Sequence, residues 1–512
     1  MPGLEILLAH AYFSRYDPKQ TRKMKPYPPL ATLHVAGFLR RNGHRVALFD
    51  AMLSDGEHAF REVLERTQPR LVVLFEDNFN FLSKMCLSRM RQAAQAMCEM
   101  AAGAGCIVIV SGSDMTDRPE LYLSRSADAV ALGEGDHAVG EVAALLDRVP
   151  RVDRQRWTVE ARRALLERAA DIAGLAFLGS DGIQRSGLRP PERQPDVFGL
   201  PAWDLVDFDR YRAAWLSHHG RFSLNMASTR GCPFHCNWCA KPIWGQRYAM
   251  RSPASVAEEM ALLKAAAKPD HIWFADDIFG LRPGWVAEFA REIAAREGRI
   301  PFTIQSRVDL MSDEAVSGLK EAGCEEVWLG AESGSQRVLD AMDKGTRIAD
   351  IFAARARLRQ AGIRASFFIQ FGYPGETWQD IEATLEMIAT ADPDDIGVSV
   401  SYPLPGTRFH DMVRAQLGPK LNWTDSDDLA MLFQGAYPSE FYRALRDYAH
   451  LDLDTRHASR DRSPAAAALG RQREHARARL RSMEPETRHA SPTRLIKPAE
   501  ILATPDLSQG WN

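Results

Sequence analysis

The segment Thr-Arg-Gly-Cys-Pro-Phe-His-Cys-Asn-Trp-Cys-Ala-Lys, residues 229–241, contains three cysteines in a C-x3-C-x2-C pattern. They are Cys232, Cys236 and Cys239. Three thiolates in a short loop can ligate three corners of a [4Fe–4S] cube and leave the fourth iron without a protein ligand. That iron is then free to bind a small molecule. The spacing therefore predicts a catalytic iron–sulfur site.

A zinc site and buried structural thiols are the alternatives for these cysteines. Zinc would require a fourth ligand, which His235 inside the run could supply. Structural zinc sites usually combine two separated pairs of ligands, however, and no second Cys/His pair follows in the sequence. The pattern therefore favours the iron–sulfur cluster, with His235 as an ordinary loop residue.

Length and composition indicate a large enzyme with at least two domains. The chain has 512 residues, 45% of them hydrophobic, and a net charge of −3, so no overall field attracts it to nucleic acid or anionic lipid. No signal-peptide pattern opens the sequence, and no apolar run approaches membrane-spanning length. The 7 cysteines do not form a secreted disulfide pattern. We therefore expect a cytoplasmic protein.

Residues 1–150 alternate between apolar runs of strand length and helical stretches. Repeated βα units of this size predict an α/β fold with a doubly wound parallel sheet. Ligands of such sheets bind beyond the carboxyl ends of the strands, so the loops there are candidate binding loops. The expected strands are Leu4–Ala9, Arg45–Phe49, Leu71–Phe75, Cys106–Val110 and Ala129–Leu132.

Residues 221–410 form a second βα series. The cysteine loop follows its first strand, at the face where barrel enzymes bind their substrates. Residues 151–220 are expected to form a linker that is exposed around 189–193 and packed at the entrance to the second domain at 200–205, with Trp203 as an anchor. Residues 411–452 are expected to form a helical cap, and 453–512 a basic tail that is mobile or marginally helical. Six strands, which predict a partial (βα)6 barrel, are expected near Ser223–Ala227, His271–Ala275, Phe302–Gln305, Glu326–Gly330, Ala365–Gln370 and Gly397–Tyr402.

The order of these motifs resembles that of radical S-adenosylmethionine (SAM) enzymes with a cobalamin-binding domain, such as class B radical SAM methylases and the anaerobic magnesium-protoporphyrin cyclase. In the second half the resemblance rests on the cysteine run, with Trp238 before its last cysteine. In the first half it rests on Pro-Pro-Leu before a helix, Gly-His-x-Val before the second strand, and Gly-Glu-Gly after the fifth. It implies a [4Fe–4S] cluster, SAM and cobalamin (B12) as cofactors.

The resemblance also implies which residues bind the cofactors. An acid after the second barrel strand lies near the SAM amino group in this family, and a glutamate after the fourth lies near the ribose or amine. These roles fall to Asp276 and Glu332. Capping or salt bridges are the alternative for Asp277, Gln305 and Arg307. The expected SAM set is Trp238, Asp276, Asp277, Gln305, Arg307, Glu332 and Gly372, and the expected cobalamin set is Pro29, Leu30, Asn78, Ser111, Gly112, Ser113, Gly133, Glu134 and Gly135.

The first domain departs from the family's cobalamin domains in two motifs, and two of its loops contain candidate cobalamin contacts. The D-x-H-x-x-G signature is absent, so no histidine ligand to cobalt is expected, and Ser111-Gly112-Ser113 replaces the usual Gly-Gly. We expect Glu76-Asp77-Asn78 to face the lower side of the corrin ring, with an ordinary capping loop as the alternative. Gly112 and Gly135 would let the backbone approach a ligand closely.

A second cluster, formed by the cysteines of the first half, is not expected. Cys86 and Cys98 lie on one predicted helix about 18 Å apart, too far to share a cube. Cys106 lies in an apolar strand. We interpret all three as core or surface residues.

The resemblance implies that SAM is cleaved reductively at the cluster to a 5′-deoxyadenosyl radical, while a second SAM provides a methyl group through methylcobalamin. We therefore expect methylation of an unactivated carbon, or of phosphorus. The alternatives are a radical oxidative cyclase or rearrangement enzyme of the same family, and a cobalamin- or SAM-responsive binding protein. The expected partners are a small-molecule or biosynthetic-intermediate substrate and an electron donor such as flavodoxin or ferredoxin, without nucleic acid.

Overall fold

The computed structural model describes residues 5–85, 87–149, 159–239, 243–418, 420, 422–426 and 428–490. Within these residues the first sheet contains β1 (Glu5–Ala9), β2 (Arg45–Phe49), β3 (Leu71–Phe75), β4 (Ile107–Ser111), β5 (Ala129–Ala131), β6 (Leu175–Gly179) and β7 (Gly182–Arg185). The strand order is β2-β1-β3-β4-β5-β6-β7, with β1 to β5 parallel. This order confirms the doubly wound sheet and places its switch point between β1 and β3.

Helices cover both faces of this sheet, so β3 and β4 are buried along their whole length. Continuous apolar strands are typical of parallel sheets covered in this way. The helices packing together include α2 with α8 and α3 with α5. The helices of this half are α1 (Pro18–Lys23), α2 (Leu30–Arg41), α3 (Glu57–Thr67), α4 (Phe81–Lys84), α5 (Ser88–Gly103), α6 (Ser113–Asp117), α7 (Glu120–Leu123), α8 (Asp136–Asp147) and α9 (Val159–Ala169).

The described part of the connector, from residue 159 onward, contains strands and helices as well as the partly exposed stretch around 189–193. Its β6 and β7 form a hairpin that pairs antiparallel with β5 and extends the first sheet. Farther along, the Ala202 backbone N–H donates to the Leu33 carbonyl in α2 (3.0 Å). Trp203 is buried, and its indole N–H donates to Glu259 of the second half (2.9 Å). Ala202 and Trp203 together therefore anchor the connector to both halves.

The second sheet is an open, parallel partial barrel, as the sequence predicts. Its strands are β8 (Ser223–Met226), β11 (His271–Phe274), β12 (Phe302–Ser306), β13 (Cys324–Glu332), β14 (Arg364–Phe371) and β15 (Ile396–Val400), in the order β15-β14-β13-β12-β11-β8. Between β8 and β11, a separate hairpin is formed by β9 (Thr229–Gly231) and β10 (Tyr248–Met250). In the described part of the chain β8 and β15 do not pair with each other, so the barrel stays open.

One helix precedes the first barrel strand, others lie between successive barrel strands, and further helices follow β15. They are α10 (Phe208–His219), α11 (Pro253–Ala266), α12 (Trp285–Ala295), α13 (Asp313–Ala322), α14 (Gln336–Ala341), α15 (Ile348–Gln360), α16 (Trp378–Ala391), α17 (Arg408–Val413), α18 (Ser439–Arg460) and α19 (Ala466–Thr487). Short 3-10 helices occupy Ser14–Tyr16, Pro195–Phe198, Trp203–Leu205, Val308–Leu310 and Arg414–Gln416.

The carboxyl-terminal region differs from the predicted helical cap and flexible tail. The long cap helix begins only at Ser439, after an irregular segment that contains Gly435 and Pro438. Both residues are poor helix formers. Between Val413 and Gly435, the described residues contain no regular secondary structure except a short 3-10 helix.

The predicted flexible tail is largely helical up to Thr487. α19 packs against α18, with Leu480 buried. The Tyr437 hydroxyl donates to Oε1 of Glu484 (2.6 Å). The remainder of the tail, 491–512, lies outside the described residues.

No helix among the described residues combines the length and apolarity needed to cross a membrane.

We expect Leu480→Ala to loosen the contact between α18 and α19, because truncating a buried leucine costs about 2–5 kcal/mol. Amide hydrogen exchange across α19 should become faster, with little change in the two sheets. Arg479→Ala is the matched control, since this neighbouring side chain is exposed and alanine favours helix. Equal exchange in the two variants would contradict the packing of α19.

Candidate active site

The cysteine loop begins where β9 ends, and a tight hairpin fixes its start. Gly231 lies opposite Tyr248 in the β9–β10 pair. Gly231 has a φ of 78°, and a Cβ there would lie 2.3 Å from the Arg247 carbonyl oxygen. Only glycine fits this position. Cys232 thus leaves the hairpin in one defined direction, and it is half-buried, like the other two cysteines of the loop.

Asn237, inside the cysteine run, fastens the loop to the barrel. Its backbone N–H donates to the Met342 carbonyl (3.0 Å) and its side-chain Nδ2 to the Ala341 carbonyl (2.7 Å). Its Oδ1 accepts from the Tyr373 hydroxyl (3.0 Å), and its backbone carbonyl accepts from the Phe409 N–H (3.0 Å). Asn237 is absent from the residues expected from sequence. The sequence did carry a signal for this role: Asn237 is a polar residue between two cluster cysteines, where the short loop forces its side chain to be buried.

Trp238, expected among the cofactor-binding residues, packs mainly against protein. It lies against a small apolar cluster that includes Val338, Met342, Tyr373 and Phe409. Its indole nitrogen is buried and has no hydrogen-bond partner among the described residues. The ring therefore holds the loop against the barrel, while its N–H stays available to a bound group.

Arg307 is the cation next to the cysteine loop. Its Nη1 lies 3.9 Å from Sγ of Cys236, and its guanidinium lies 3.7 Å from the centre of the Phe234 ring. Asp309 binds Nε and Nη2 at 2.9 and 3.0 Å. Two hydrogen bonds and a ring contact fix the guanidinium, so a positive charge lies beside a thiol that would ligate iron.

Glu332, the expected SAM ligand after the fourth barrel strand, forms a buried ion pair. Oε1 accepts from Nζ of Lys344 (2.9 Å). Burial lowers the pKa of Lys344, but the charges of Glu332 and Cys236 outweigh it and raise the pKa overall. Glu332 has a φ of 60°, an uncommon backbone conformation for this residue type. A Cβ on Gly330 would lie 2.7 Å from Nζ of Lys344, so this glycine leaves room for the pair.

Asp276, expected near the SAM amino group, instead holds the turn before the cysteine loop. Oδ1 accepts from the backbone N–H of Ser228 (2.8 Å) and from the N–H and hydroxyl of Thr229 (2.5 and 2.7 Å). Oδ2 accepts from the Ser228 hydroxyl (3.1 Å). Burial raises the pKa of Asp276 to about 7, although these hydrogen bonds oppose the shift. Both oxygens are already bound by the protein.

Three other expected SAM residues lie at the carboxyl-end face of the barrel with different exposure. Asp277 is exposed, and Gln305 is half-buried on β12. Gly372 has a φ of 79°, and its N–H donates to Oε2 of Glu376 (2.6 Å). Burial raises the pKa of Glu376 to about 8. Glu376 therefore holds the turn at Gly372 in place.

Buried polar atoms without partners line the carboxyl edge of the first sheet. The side-chain oxygens of Ser111, Ser113 and Asn78 are buried and form no hydrogen bond with the described residues. Such burial is unfavourable unless another group provides the missing hydrogen bonds. This edge therefore fits a large polar ligand such as cobalamin.

The acidic loop after β3 acts as a cap. Oδ1 of Asp77 accepts from the backbone N–H of Ala31 in the first turn of α2 (3.0 Å). Oε1 of Glu76 accepts from the Ala11 N–H (3.1 Å), and burial raises the pKa of Glu76 to about 7. The capping alternative thus holds for Asp77. Oε2 of Glu76 is buried without a hydrogen-bond partner among the described residues, so Glu76 and Asn78 stay candidates for contact with the corrin ring.

Gly112 and Gly135 allow loops to pack on each other. A Cβ on Gly112 would lie 2.8 Å from Cβ of Glu76, and one on Gly135 would lie 2.3 Å from Oγ of Ser111. The space that their missing side chains leave is therefore filled by protein. Close approach of the backbone at Gly112 and Gly135 to a ligand stays a prediction.

Pro29 and Leu30 lie where α2 approaches the barrel. Pro29 precedes the helix as its N-cap, and Leu30 begins it and is buried. The carbonyl of Pro28 accepts from Nδ2 of Asn225 on β8 (3.0 Å). The Pro-Pro-Leu motif thus connects the two domains, and cobalamin contact by Pro29 and Leu30 stays a prediction.

Arg230, in β9 just before the cysteine loop, binds the first domain. Its Nη1 lies 2.5 Å from Oε1 of Glu134 and its Nη2 lies 3.1 Å from Oδ1 of Asp136. All three side chains are buried, and the guanidinium lies 4.3 Å from the centre of the Phe198 ring. Oε2 of Glu134 accepts from the Glu192 N–H (2.5 Å). Glu134, expected to bind cobalamin, is therefore occupied by this interdomain contact.

The loops at the carboxyl edge of the first sheet lie against the chain that follows the cysteine loop. A Cβ on Gly133 would lie 3.5 Å from the Ile243 carbonyl oxygen. The rings of Phe79 and Trp244 are 5.3 Å apart. The candidate cobalamin edge and the cysteine loop therefore meet at one interdomain interface.

The remaining cysteines offer no second cluster among the described residues. Cys98 and Cys106 are buried in the first domain, and Cys86 lies outside the described residues. No three His, Cys, Asp or Glu side chains of the described chain converge on a single metal position. A [4Fe–4S] cube does not require this convergence, because each thiolate binds a different iron.

Comparison with known proteins identifies both domains. A model of the radical SAM superfamily matches residues 226–388, and a model of the B12 binding domain matches residues 25–143. An uncharacterized methyltransferase of Pyrococcus horikoshii is 25% identical over 401 residues, which cover 77% of this chain and 81% of that protein. The anaerobic magnesium-protoporphyrin IX monomethyl ester cyclase of Rubrivivax gelatinosus is 25% identical over 409 residues, 78% of this chain and 68% of the cyclase.

A solved structure shares the fold of both domains. The radical SAM methyltransferase TsrM of Kitasatospora setae, with cobalamin and a [4Fe–4S] cluster bound, superimposes with a TM-score of 0.62 at 20% identity. The match covers 78% of this chain and 75% of that chain.

A three-cysteine loop on a partial barrel, facing a doubly wound sheet with an edge of unpartnered polar atoms, defines an iron–sulfur enzyme with a second cofactor domain. The chain belongs to the radical SAM enzymes that carry a B12-binding domain. Its cofactors are a [4Fe–4S] cluster, SAM and cobalamin. The half-buried thiols beside Arg307 fit the cluster, and the oxygens of Ser111 and Ser113 fit cobalamin.

We expect Cys236→Ser to lose most of its iron and sulfide after anaerobic reconstitution, because the cube would lose one of its three protein ligands. Iron and acid-labile sulfide per chain are the measurement. Cys98→Ala is the control, since Cys98 is buried in α5 and should leave the iron content unchanged. Zinc in place of iron in the wild-type protein would contradict the cluster assignment.

We expect Arg230→Met to destabilise the protein by about 3–5 kcal/mol, because two buried carboxylates lose their cation. Burial already raises the pKa of Glu134, and losing Arg230 would raise it further, so the variant gains stability as the pH falls towards about 4 and loses it as the pH rises. Denaturant unfolding over this pH range is the measurement. The triple variant Arg230→Met, Glu134→Gln, Asp136→Asn should lose this pH dependence, and a pH-independent deficit in Arg230→Met alone would contradict the assignment.

Proposed function

We propose that the protein is a cobalamin-dependent radical SAM methyltransferase that methylates an unactivated carbon, or phosphorus, of a small-molecule or biosynthetic-intermediate substrate. When bound, the cluster and SAM provide hydrogen-atom abstraction, and cobalamin provides a methyl carrier. The main support is the interdomain contact: Phe79 of the first domain lies against Trp244, five residues after Cys239. This contact brings the candidate cobalamin edge next to the cysteine loop, as methyl transfer between the two cofactors would require.

The cysteine loop would hold the cluster in a fixed orientation. Cys232, Cys236 and Cys239 would each bind one iron, and Asn237 would keep the loop on the barrel through its four hydrogen bonds. Arg307 would balance part of the negative charge at Cys236. This charge balance favours the reduced cluster, which carries more negative charge.

The open face of the barrel would bind SAM. Asp276, which also holds Ser228 and Thr229, and its exposed neighbour Asp277 are the proposed acids near the SAM amino group. The oxygens of Glu332, one of them paired with Lys344, would accept from the SAM amine or ribose. Other SAM contacts are proposed for Trp238, Gln305, Arg307 and Gly372.

The carboxyl edge of the first sheet would bind cobalamin. The unpartnered oxygens of Ser111, Ser113 and Asn78 would bond to its polar groups. Backbone atoms at Gly112, Gly133 and Gly135, together with Pro29 and Leu30, would shape the remaining contact. TsrM, which shares the fold, holds cobalamin and a [4Fe–4S] cluster together, in agreement with this arrangement.

An oxidative cyclase or rearrangement enzyme is the second candidate. It is favoured by the similarity to the Rubrivivax gelatinosus cyclase, which extends over 78% of this chain. The site residues would be the same, but no methyl group would be transferred. Both candidates need a low-potential electron donor, for which we propose a flavodoxin or ferredoxin in the cytoplasm.

The test is to quantify 5′-deoxyadenosine and S-adenosylhomocysteine in the same samples of reconstituted, cobalamin-loaded protein with SAM, a low-potential reductant and small-molecule extracts. Methyl transfer predicts that both products rise together and that Cys236→Ala abolishes 5′-deoxyadenosine. Cys98→Ala is the matched control and should behave as wild type. 5′-Deoxyadenosine without S-adenosylhomocysteine would contradict methyl transfer and favour the cyclase. A reconstituted protein that forms neither product would contradict both enzyme candidates.

A further inference from the structure

A pocket with a volume of about 410 Å³ opens between the connector and the barrel. This volume lies in the range of small-molecule sites, about 300–1,000 Å³. Nothing in the function proposed above uses it. Its lining consists of Pro191, Glu192 and Arg193 from the connector and Arg230, Trp244, Arg247, Tyr248 and Ala249 from the barrel.

The pocket carries an excess of unpaired positive charge. Arg193 and Arg247 are exposed, and their guanidinium groups form no hydrogen bond or ion pair with the described residues. The third arginine, Arg230, is neutralised by the first domain. The acid in the lining, Glu192, pairs with His137 (3.1 Å) and accepts from the Arg193 backbone N–H (2.8 Å). The guanidinium groups of Arg193 and Arg247 are therefore available to bind a ligand.

The walls of the pocket add apolar surface to this charge. Trp244 and Tyr248 present aromatic side chains beside the two free guanidinium groups. Guanidinium groups bind carboxylate and phosphate through paired hydrogen bonds, and aromatic faces bind flat apolar groups. The combination fits a molecule with an anionic group attached to an apolar body.

The position of the pocket connects it to both cofactor sites. Tyr248 pairs with Gly231, the residue before Cys232, so one wall is continuous with the cysteine loop. Trp244 contacts Phe79 from the candidate cobalamin edge. A ligand held here would lie next to the interface at which methyl transfer is proposed.

We propose that this pocket binds the anionic group, a carboxylate or phosphate, of the substrate, with Arg193 and Arg247 as the anion-binding residues. The assignment to substrate rests on the function proposed above. The phosphate of the cobalamin nucleotide tail offers the same chemistry, so the experiment must separate the two sources.

The first arm measures binding of naphthyl phosphate to cobalamin-loaded protein by titration calorimetry. Replacing Arg193 and Arg247 together by Gln should weaken binding at least about tenfold, because each lost hydrogen bond joins charged groups. Arg479→Gln, on the exposed face of α19, is the matched control and should bind as wild type. Both arginines are exposed, so folding should be retained. Equal affinity in the double variant, or no binding in the wild type, would overturn the proposal.

The second arm compares cobalamin with cobinamide, which lacks the nucleotide tail. If the substrate fills the pocket, the double variant should bind both corrinoids as tightly as wild type. If the double variant binds cobalamin more weakly but binds cobinamide as wild type does, the substrate assignment is overturned. The pocket would then bind the nucleotide tail of cobalamin. Neither arm requires SAM cleavage, so the anion site would stand on these binding data even if the extract experiment above refuted methyl transfer.

Discussion

The guanidinium of Arg230 is the constraint on which the two-domain site depends. It lies between Glu134 and Asp136 of the first domain while its backbone forms the strand that precedes the cysteine loop. A buried guanidinium cannot leave its carboxylates without a large desolvation cost, so the two loops move together. Phe198 of the connector closes the arrangement by contacting the same group. The distance between the cluster loop and the cobalamin edge is thus fixed by one buried ion pair network.

Acidic side chains at the strand ends mostly hold loops in place, a role that the sequence did not reveal for Asp276 and Glu134. Asp276 binds two successive residues before the cysteine loop, and Glu134 binds Arg230. Motif similarity located both acids correctly at the ends of strands. It could not show that their oxygens are occupied, because the donors come from other parts of the fold. The cysteine run was predictable because its three ligands lie within a few residues of one another.

The sheets were predictable to a greater extent than the segments outside them. Strands such as Leu71–Phe75 are apolar throughout and buried on both faces, so their pattern is clear in the sequence. Gly182–Arg185 is exposed along its length, and it becomes a strand only because the neighbouring strand offers hydrogen bonds. α19 buries few side chains, among them Leu480, and its arginine-rich surface resembles a tail. In both segments tertiary contacts, rather than local pattern, determine the structure.

The central claim is that cluster and cobalamin face each other across the contact between Phe79 and Trp244. Electron paramagnetic resonance of fully loaded, reduced protein tests this most directly, because cob(II)alamin and the reduced cluster are both paramagnetic. The account predicts spin–spin coupling, seen as a spectrum broadened or split relative to the sum of the two singly loaded forms. A spectrum equal to that sum would contradict a shared site between the two domains.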